Sequence, residues 1–467
     1  MMTQIKFGTD GWRAIIAKEY TVDNVARVAA ALAFWLKQQA EEPSLVVVGH
    51  DCRFGGELFA ETTARVLCSH GIKVALAKGF VSTPMVSLGV KQLSARQGVV
   101  ITASHNPAAY NGFKLKGPHG GPTPPADIAA VEALIPEQAA IPDQSLSDFE
   151  QQGLLQWVDL EDNYIQYLRR RFDFEKLNNA PAKLAYDAMF GAGQNVIRKV
   201  LPSAVLLHCD HNPSFKGTAP EPIHKNLKEF SALLAKTPEL KIGLATDGDA
   251  DRIGLYDEDG HFVDAHHIIL LLIHYLSQYK KLKGKVVIAF SVTDRVKRLC
   301  ERYGLPVEVT KIGFKYISEK MVTDDVLLGG EESGGIAIKG HIPERDGIFD
   351  GLTIYEYMME TGKTLKQLCA EIYELVGTFY YDRHDLTINN AKKEQIIADA
   401  LAGRYTGFGS YDIESVEMID GVKYHLKNGG WIMLRASGTE PLLRVYAEGK
   451  DKAETAAILE AVEKTIL

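Results

Sequence analysis

Three aspartates alternate in Thr246-Asp-Gly-Asp-Ala-Asp-Arg252, at Asp247, Asp249 and Asp251. Carboxylates this close repel one another unless a cation lies between them, and an all-oxygen set favours Mg²⁺ or Mn²⁺ over zinc. An EF-hand is the obvious competitor, since Glu258 falls at its twelfth position. Its sixth position needs Gly for the sharp turn, however, and here it is Arg252. The loop also follows a β-like run, not a helix. The plain alternative is a solvated acidic turn. Arg252 is then either a counter-ion to the aspartates or a group that binds a phosphoryl oxygen beside a metal.

Three more loops carry groups that suit the same chemistry. Thr102-Ala-Ser-His-Asn-Pro107 puts Ser104 directly after a β-like run. A serine there is a candidate nucleophile or phosphoryl carrier; the absence of G-x-S-x-G disfavours a hydrolase elbow. The structural alternative is a Ser-Asn-Pro turn that caps a helix. Leu328-Gly-Gly-Glu-Glu-Ser-Gly-Gly335 sets two carboxylates and a hydroxyl among glycines. It lacks the P-loop lysine, and carboxylates accept hydrogen bonds from sugar hydroxyls while repelling phosphate. Arg435-Ala-Ser-Gly-Thr-Glu-Pro441, with Arg444 close behind, reads as a phosphate cradle or as an ordinary hairpin with surface arginines. Gly8-Thr-Asp-Gly-Trp-Arg13 and Tyr110-Asn-Gly-Phe-Lys114 add two cations, Arg13 and Lys114, which either stabilise a transferring phosphoryl group or are ordinary surface cations. Together a serine, a metal loop, a hydroxyl-reading loop and a separate phosphate cradle fit phosphoryl transfer on a sugar phosphate.

The elements around these loops alternate. Val25, Val28, Ala29, Leu32, Trp35 and Leu36 recur at helical spacing behind Thr21 and Asp23, with Pro43 at the end. Short apolar runs at Leu45–Gly49, Gly98–Ala103, Lys183–Ala188, Lys241–Thr246, Lys285–Phe290 and Asp325–Gly330 predict strands. Strands alternating with helices predict parallel α/β sheets, whose ligands bind beyond the strands' C-terminal ends. The last ninety or so residues differ: Asp420-Gly421 and Asn428-Gly429 between short apolar runs predict hairpins, and Lys452 to Ile466 predicts a helix. No exact internal repeat is present.

Composition sets the outer limits. The 467 residues suffice for two to four domains, and 46% hydrophobic with 24% charged residues excludes wholesale disorder. A net charge of −8 disfavours non-specific nucleic-acid binding. Five scattered cysteines without a C-x-x-C pair disfavour a disulfide framework and predict a reducing compartment, the cytoplasm. No signal core and no membrane span is expected.

In this order the four loops resemble the α-D-phosphohexomutase superfamily of phosphoglucomutases and phosphomannomutases over nearly the whole chain. The resemblance implies three related mixed-sheet α/β domains and a smaller C-terminal α+β domain around a central cleft. We place these at 1–155, 156–257, 258–374 and 375–467. It implies a phosphorylated Ser104, which with Asp247, Asp249 and Asp251 binds Mg²⁺. Arg13, His105, Lys114 and Arg252 would surround the transferring group. Glu331 and Ser333 would bind sugar hydroxyls, while Arg435, Ser437, Gly438, Thr439 and Arg444 hold the distal phosphate. The implied reaction interconverts hexose 1- and 6-phosphates through a hexose 1,6-bisphosphate, with glucose 1,6-bisphosphate as activator. The implied partner is a small-molecule sugar phosphate, with neither nucleic acid nor membrane, and the implied state is monomer or homodimer.

Two positions depart from the pattern of many phosphomannomutase-type members. The histidine after Ser-Gly in the sugar loop is replaced by Gly335, and Thr310-Lys-Ile-Gly-Phe-Lys315 lacks the preceding loop's histidine. The second segment resembles the Gly-aromatic-Lys version of several phosphoglucomutases, which makes Lys315 a candidate acid/base or else a solvated lysine at a helix start. The Glu-Glu-Ser loop leans the expected substrate towards glucose, the alternatives being a phosphomannomutase, a phosphoglucosamine mutase or a metal-assisted sugar phosphatase.

Overall fold

A computed structural model describes residues 4–8, 10–39, 44–436 and 442–467. The chain forms four sheets in sequence order. The first helix, Val22–Gln39, buries Val25, Val28, Ala29, Leu32, Trp35 and Leu36 as their spacing requires. The first sheet has the order Trp12–Ile15, Tyr110–Lys116, Gln97–Ile101, Leu45–His50, Lys73–Ala77, Leu155–Val158. Its last four strands are parallel and its first two are antiparallel additions.

The second and third sheets follow the same plan. In the second, Lys183–Asp187, Val205–Leu207 and Leu240–Thr246 run parallel, and Ile253–Tyr256 and Phe262–Val263 return antiparallel. In the third, Lys285–Ala289, Val307–Thr310 and Val326–Gly330 run parallel, and Ile336–Ile338 returns antiparallel. The parallel sheets expected from element alternation are therefore mixed. In each, a strand of the parallel set turns straight back beside itself instead of crossing over through a helix.

That departure positions the chemistry. Residues 102–109 join Gln97–Ile101 to its antiparallel neighbour Tyr110–Lys116. The metal loop joins Leu240–Thr246 to Ile253–Tyr256, and the Glu-Glu-Ser loop joins Val326–Gly330 to Ile336–Ile338. The fourth sheet is antiparallel throughout, and Arg435 and Arg444 face each other on its adjacent strands Trp431–Ala436 and Leu442–Gly449. The serine loop does not cap a helix, because the chain returns as a strand.

Packing follows the sheets. One apolar cluster runs from Val47 and Met85 through Leu244 and Ile269 to Phe349, so the first three sheets share a continuous core. The fourth sheet packs the helices Asn390–Leu401 and Lys452–Ile466 in a core of its own, through residues such as Ile396, Leu434 and Leu459. It meets the third through a small cluster of Phe290, Trp431, Met433 and Tyr446. Leu155–Val158 completes the first sheet and Phe262–Val263 the second, so both sheets reach a few residues past the expected boundaries at 155 and 257. Residue 375 lies in the last turn of the helix Leu365–Val376.

Candidate active site

Ser104 is buried and adopts a left-handed backbone, φ 53°. That conformation is unfavourable for a residue with a Cβ and persists only where its surroundings over-determine it. They do so here. The Ser104 amide donates to Thr102 Oγ1 at 2.9 Å, and Thr102 Oγ1 donates to Asp51 Oδ2 at 2.5 Å. Arg53, paired with Asp51 at 3.3 Å, donates to the carbonyls of Ser104 and Asn106 at 2.6 Å, Pro107 at 2.9 Å and Tyr110 at 3.1 Å. One buried guanidinium thus grips the loop at Ser104 and along its C-terminal side.

The second loop meets the first through its glycine. A Cβ on Gly248 would lie 2.5 Å from the Ser104 carbonyl oxygen, so only glycine lets the backbones approach this closely. Ser104 Oγ then donates to Asp247 Oδ2 at 2.7 Å. Asp247 Oδ1 accepts the amides of Asp251 and Arg252 at 2.9 and 3.0 Å. Asp249 Oδ2 accepts from Thr83 at 2.5 Å and Lys114 at 2.7 Å, and Asp251 Oδ2 pairs with Lys114 at 3.0 Å and Arg345 at 2.8 Å. Asp249 Oδ1 and Asp251 Oδ1 are buried with no hydrogen-bond partner. Each of these two aspartates therefore spends one oxygen on a protein cation and leaves the other free.

Ligand oxygens of all three aspartates lie within 4.8 Å of one another. Two orphaned carboxylate oxygens beside a third carboxylate fit a hard divalent cation such as Mg²⁺. Burial, then the charges of Asp249 and Asp251, push the Asp247 carboxyl well up. Burial acts the same way on Asp249, but Lys114, Thr83 and Arg345 together outweigh it and hold that carboxyl well below the usual range. Burial opposes the charge on Lys114, but Asp10, Asp249 and Asp251 hold its ammonium protonated, with Asp10 at 2.9 Å. Lys114 is therefore a fixed cation in this arrangement, not a base. Burial followed by Arg252 and Arg13 keeps His105 neutral, with Nδ1 3.4 Å from Ser104 Oγ. Arg13 is held to the serine loop through Asn106 Oδ1 at 2.7 Å.

The sugar loop abuts the metal loop. The Ile253 amide donates to the Gly334 carbonyl at 3.0 Å. Glu331 is buried, accepts the Gly313 amide at 2.8 Å and is pushed up to about 7 by burial and by Glu332. Ser333 lies half-buried in the same turn. The missing histidine has a physical explanation. A Cβ at Gly335 would lie 2.5 Å from Arg345 Cδ, and Arg345 is tied to both Asp10 and Asp251 at 2.8 Å. Arg345 occupies the space that a side chain at 335 would need.

The structure thus joins Ser104, His105, Arg13, Lys114, Asp247, Asp249, Asp251 and Arg252, with Glu331 alongside. Arg435 and Arg444 face each other on the fourth sheet, each with a buried Nε that has no hydrogen-bond partner among the described residues. Arg435 pairs with Asp420 at 3.3 Å and Arg444 with Asp385 at 4.0 Å. Ser437, Gly438 and Thr439 lie outside the described residues. Lys315 sits at the start of the helix Phe314–Thr323, half-buried, its ammonium 5.3 Å from the Tyr316 ring centroid.

Sequence reasoning missed Asp10, Asp51, Arg53, Thr83 and Arg345. Asp10 lies inside a segment from which only Arg13 was taken. Asp51-Cys-Arg53 follows the strand Leu45–His50, so the strand-end rule pointed to it. Thr83 and Arg345 carry no local signal, being brought in by the tertiary fold.

Sequence descriptions of the four domains of phosphoglucomutase/phosphomannomutase match residues 4–141, 162–260, 264–376 and 388–465. The chain belongs to the phosphoglucomutase/phosphomannomutase family. It is 28% identical over 458 residues to a phosphoglucomutase/phosphomannomutase of Thermococcus kodakarensis, covering 97% of this chain and 96% of that one. A phosphoglucosamine mutase of Halalkalibacterium halodurans is 29% identical, covering 95% and 94%. The solved structure of a candidate phosphomannomutase from Thermus thermophilus superposes with a TM-score of 0.87 at 35% identity, covering all of both chains. Family membership accounts for the four-domain plan, three α/β/α domains followed by a C-terminal domain.

Proposed function

We propose that this family member interconverts a hexose 1-phosphate and a hexose 6-phosphate through a phosphorylated Ser104. The observation that carries the reading is the Ser104–Asp247 hydrogen bond inside a cage of fixed cations. When Ser104 accepts a phosphoryl group from a hexose 1,6-bisphosphate, the Oγ–P bond forms and the sugar O–P bond breaks, while the serine hydroxyl gives up its proton and the departing sugar oxygen takes one up. Asp247 orients the serine hydroxyl through its 2.7 Å hydrogen bond. Lys114, Arg13 and Arg252 stabilise charge on the moving group, and Glu331 with Ser333 orients the sugar. Arg435 and Arg444, with Ser437, Gly438 and Thr439, hold the phosphate that is not reacting. Lys315 stays a candidate acid/base at the sugar loop. Mg²⁺ held by Asp247, Asp249 and Asp251 would neutralise phosphoryl oxygens beside Ser104. Glucose 1,6-bisphosphate would prime Ser104.

The names of the curated relatives favour mannose or glucosamine phosphates over the glucose preference expected from Glu-Glu-Ser. A phosphomannomutase or phosphoglucosamine mutase is therefore the better-supported specificity. Five buried, unpaired thiols support a reducing compartment, and no helix among the described residues is long and apolar enough to cross a membrane. The deciding experiment is ³¹P NMR with glucose, mannose and glucosamine 1-phosphates, Mg²⁺ and a trace of glucose 1,6-bisphosphate. Conversion of one of them to its 6-phosphate without free phosphate is the expected result. Free phosphate as the main product would replace the mutase with a phosphatase.

A further inference from the structure

The sugar loop and the distal arginines belong to different sheets, yet one chain of hydrogen bonds joins them. Consecutive amides do the joining. Gly313 N donates to Glu331 Oε1 at 2.8 Å, and Ile312 N donates to Asp420 Oδ2 at 3.0 Å. The same Asp420 oxygen lies 3.3 Å from an Arg435 guanidinium nitrogen. Asp420 sits in the turn between Tyr411–Glu417 and Val422–Leu426. Register fixes it there, since Val422 faces Leu434. Gly421 (φ 95°) packs so tightly that a Cβ would lie 2.4 Å from the Leu434 carbonyl oxygen and 3.3 Å from Arg435 Cβ. The Ile312 side chain packs against the Phe290, Trp431, Met433 and Tyr446 cluster between the two domains. This residue therefore anchors the contact with both its amide and its side chain.

The pairing on Arg435 is one-sided. Asp420 engages a terminal nitrogen, while Nε is buried with no hydrogen-bond partner among the described residues; across the strand pair, Arg444 Nε lies 4.0 Å from Asp385 Oδ1. A carboxylate on one nitrogen restricts the rotamers of a long side chain and leaves the remaining N–H groups of the fork for an anion. We propose that Asp420 is a positioning residue. It aims Arg435 at the distal phosphate and, through the Ile312 and Gly313 amides, holds that arginine in register with Glu331. This rests on the mutase reading for the identity of the phosphate, but not for its binding.

The test uses the full chain with Asp420→Asn, Asp420→Ala and Arg435→Ala, each checked for native melting and circular dichroism. Calorimetric titration with inorganic phosphate defines the distal site as the binding lost in Arg435→Ala. Asp420→Asn loses the ion pair but keeps an oxygen for the Ile312 amide. It should weaken that binding about tenfold, the size of one lost charge-assisted contact, and raise KM for the 1- and 6-phosphate alike with kcat nearly unchanged. Asp420→Ala also releases the domain contact, so its kcat should fall as well. Wild-type phosphate affinity in both Asp420 variants would overturn the proposal. Tighter binding in Asp420→Ala would do so too, by marking Asp420 as a competitor of phosphate. Failure of the wild-type chain to isomerise any hexose phosphate would refute the mutase reading alone, because the phosphate titration decides Asp420 independently.

Discussion

Arg53 offers the sharpest separation between holding a loop and doing chemistry. Its guanidinium serves four backbone carbonyls and Asp51 from a fully buried position. Arg53→Met fills much of the same volume but leaves those carbonyls and a buried carboxylate without a donor. At ~1 kcal/mol for each carbonyl left short, the low end of the range, the loss is about 4 kcal/mol. That agrees with the ~3–5 kcal/mol found when one partner of a buried ion pair is removed. The left-handed Ser104 conformation costs on the order of 1–3 kcal/mol in itself. With its restraint gone, the loop relaxes before the surrounding sheet does. Turnover should fall at least ~100-fold, equivalent to ~2.7 kcal/mol, while the parallel strands stay folded. The assay is phosphorylation of Ser104 by glucose 1,6-bisphosphate, followed by intact-mass spectrometry beside steady-state rates and melting curves. Arg53→Lys has three donors on a point charge and should recover only part of the rate. A folded Arg53→Met protein that phosphorylates Ser104 at the wild-type rate would refute the reasoning.

Two further predictions concern the sugar and metal loops. Glu331 is pushed up to about 7, against an ordinary 4.5. Between those values the folded state holds a proton that the unfolded chain has released, so the contribution of Glu331 to stability falls as pH rises through that window. Its ionised form is the better acceptor for sugar hydroxyls, so KM should fall as pH rises through about 7. Glu331→Gln should flatten both profiles, and an unchanged KM profile in that variant would remove Glu331 from the sugar site. Mg²⁺ at about 100 times its dissociation constant should stabilise the fold by ~2.7 kcal/mol, read as a rise in melting temperature. Asp249→Asn should abolish that rise, and a wild-type shift in the variant would move the metal site elsewhere.

The serine, metal and sugar loops stand out in the sequence because each follows a strand and carries its chemistry in consecutive residues, while most of the fourth loop lies outside the described residues. Ser104, the three aspartates and Glu331 needed only local order. The helix Lys452–Ile466 was readable for the same reason, its period and its Asp451 cap lying within one segment. Asp10 and Arg345 are 335 positions apart and meet over Lys114 and Asp251, and nothing in either neighbourhood announces the other. The kinship of the first three sheets was implied by the resemblance and not by any internal repeat. It resides in topology, a parallel strand turning back antiparallel around a functional loop, and not in repeated residues. Lys315 rested on the resemblance of its Gly-Phe-Lys segment and on no pattern of its own, and its ammonium lies 5.3 Å from the ring centroid of its neighbour Tyr316.

The charges around Ser104 explain how so acidic a loop can face a phosphorylated substrate. Asp10, Asp247, Asp249 and Asp251 are matched by Arg13, Lys114, Arg252 and Arg345, most of them in direct contact. His105 adds nothing, since burial and the neighbouring arginines keep it neutral. With an unmodified serine the cage is close to balanced, and the aspartates are screened from an incoming phosphate by the cations seated on them. A phosphate on Ser104 brings ~1.5–2 negative charges into a site with almost no water to screen them. Lys116 also reaches Asp10 at 3.8 Å but is taken up by Glu344 at 2.6 Å, whereas two carboxylate oxygens have no hydrogen-bond partner among the described residues and would attract a divalent ion. On the proposed reading, the charge that binds Mg²⁺ is completed by the phosphate itself. The cation and the phosphoserine are then two halves of one neutral arrangement, and the unpaired oxygens of Asp249 and Asp251 mark where they join.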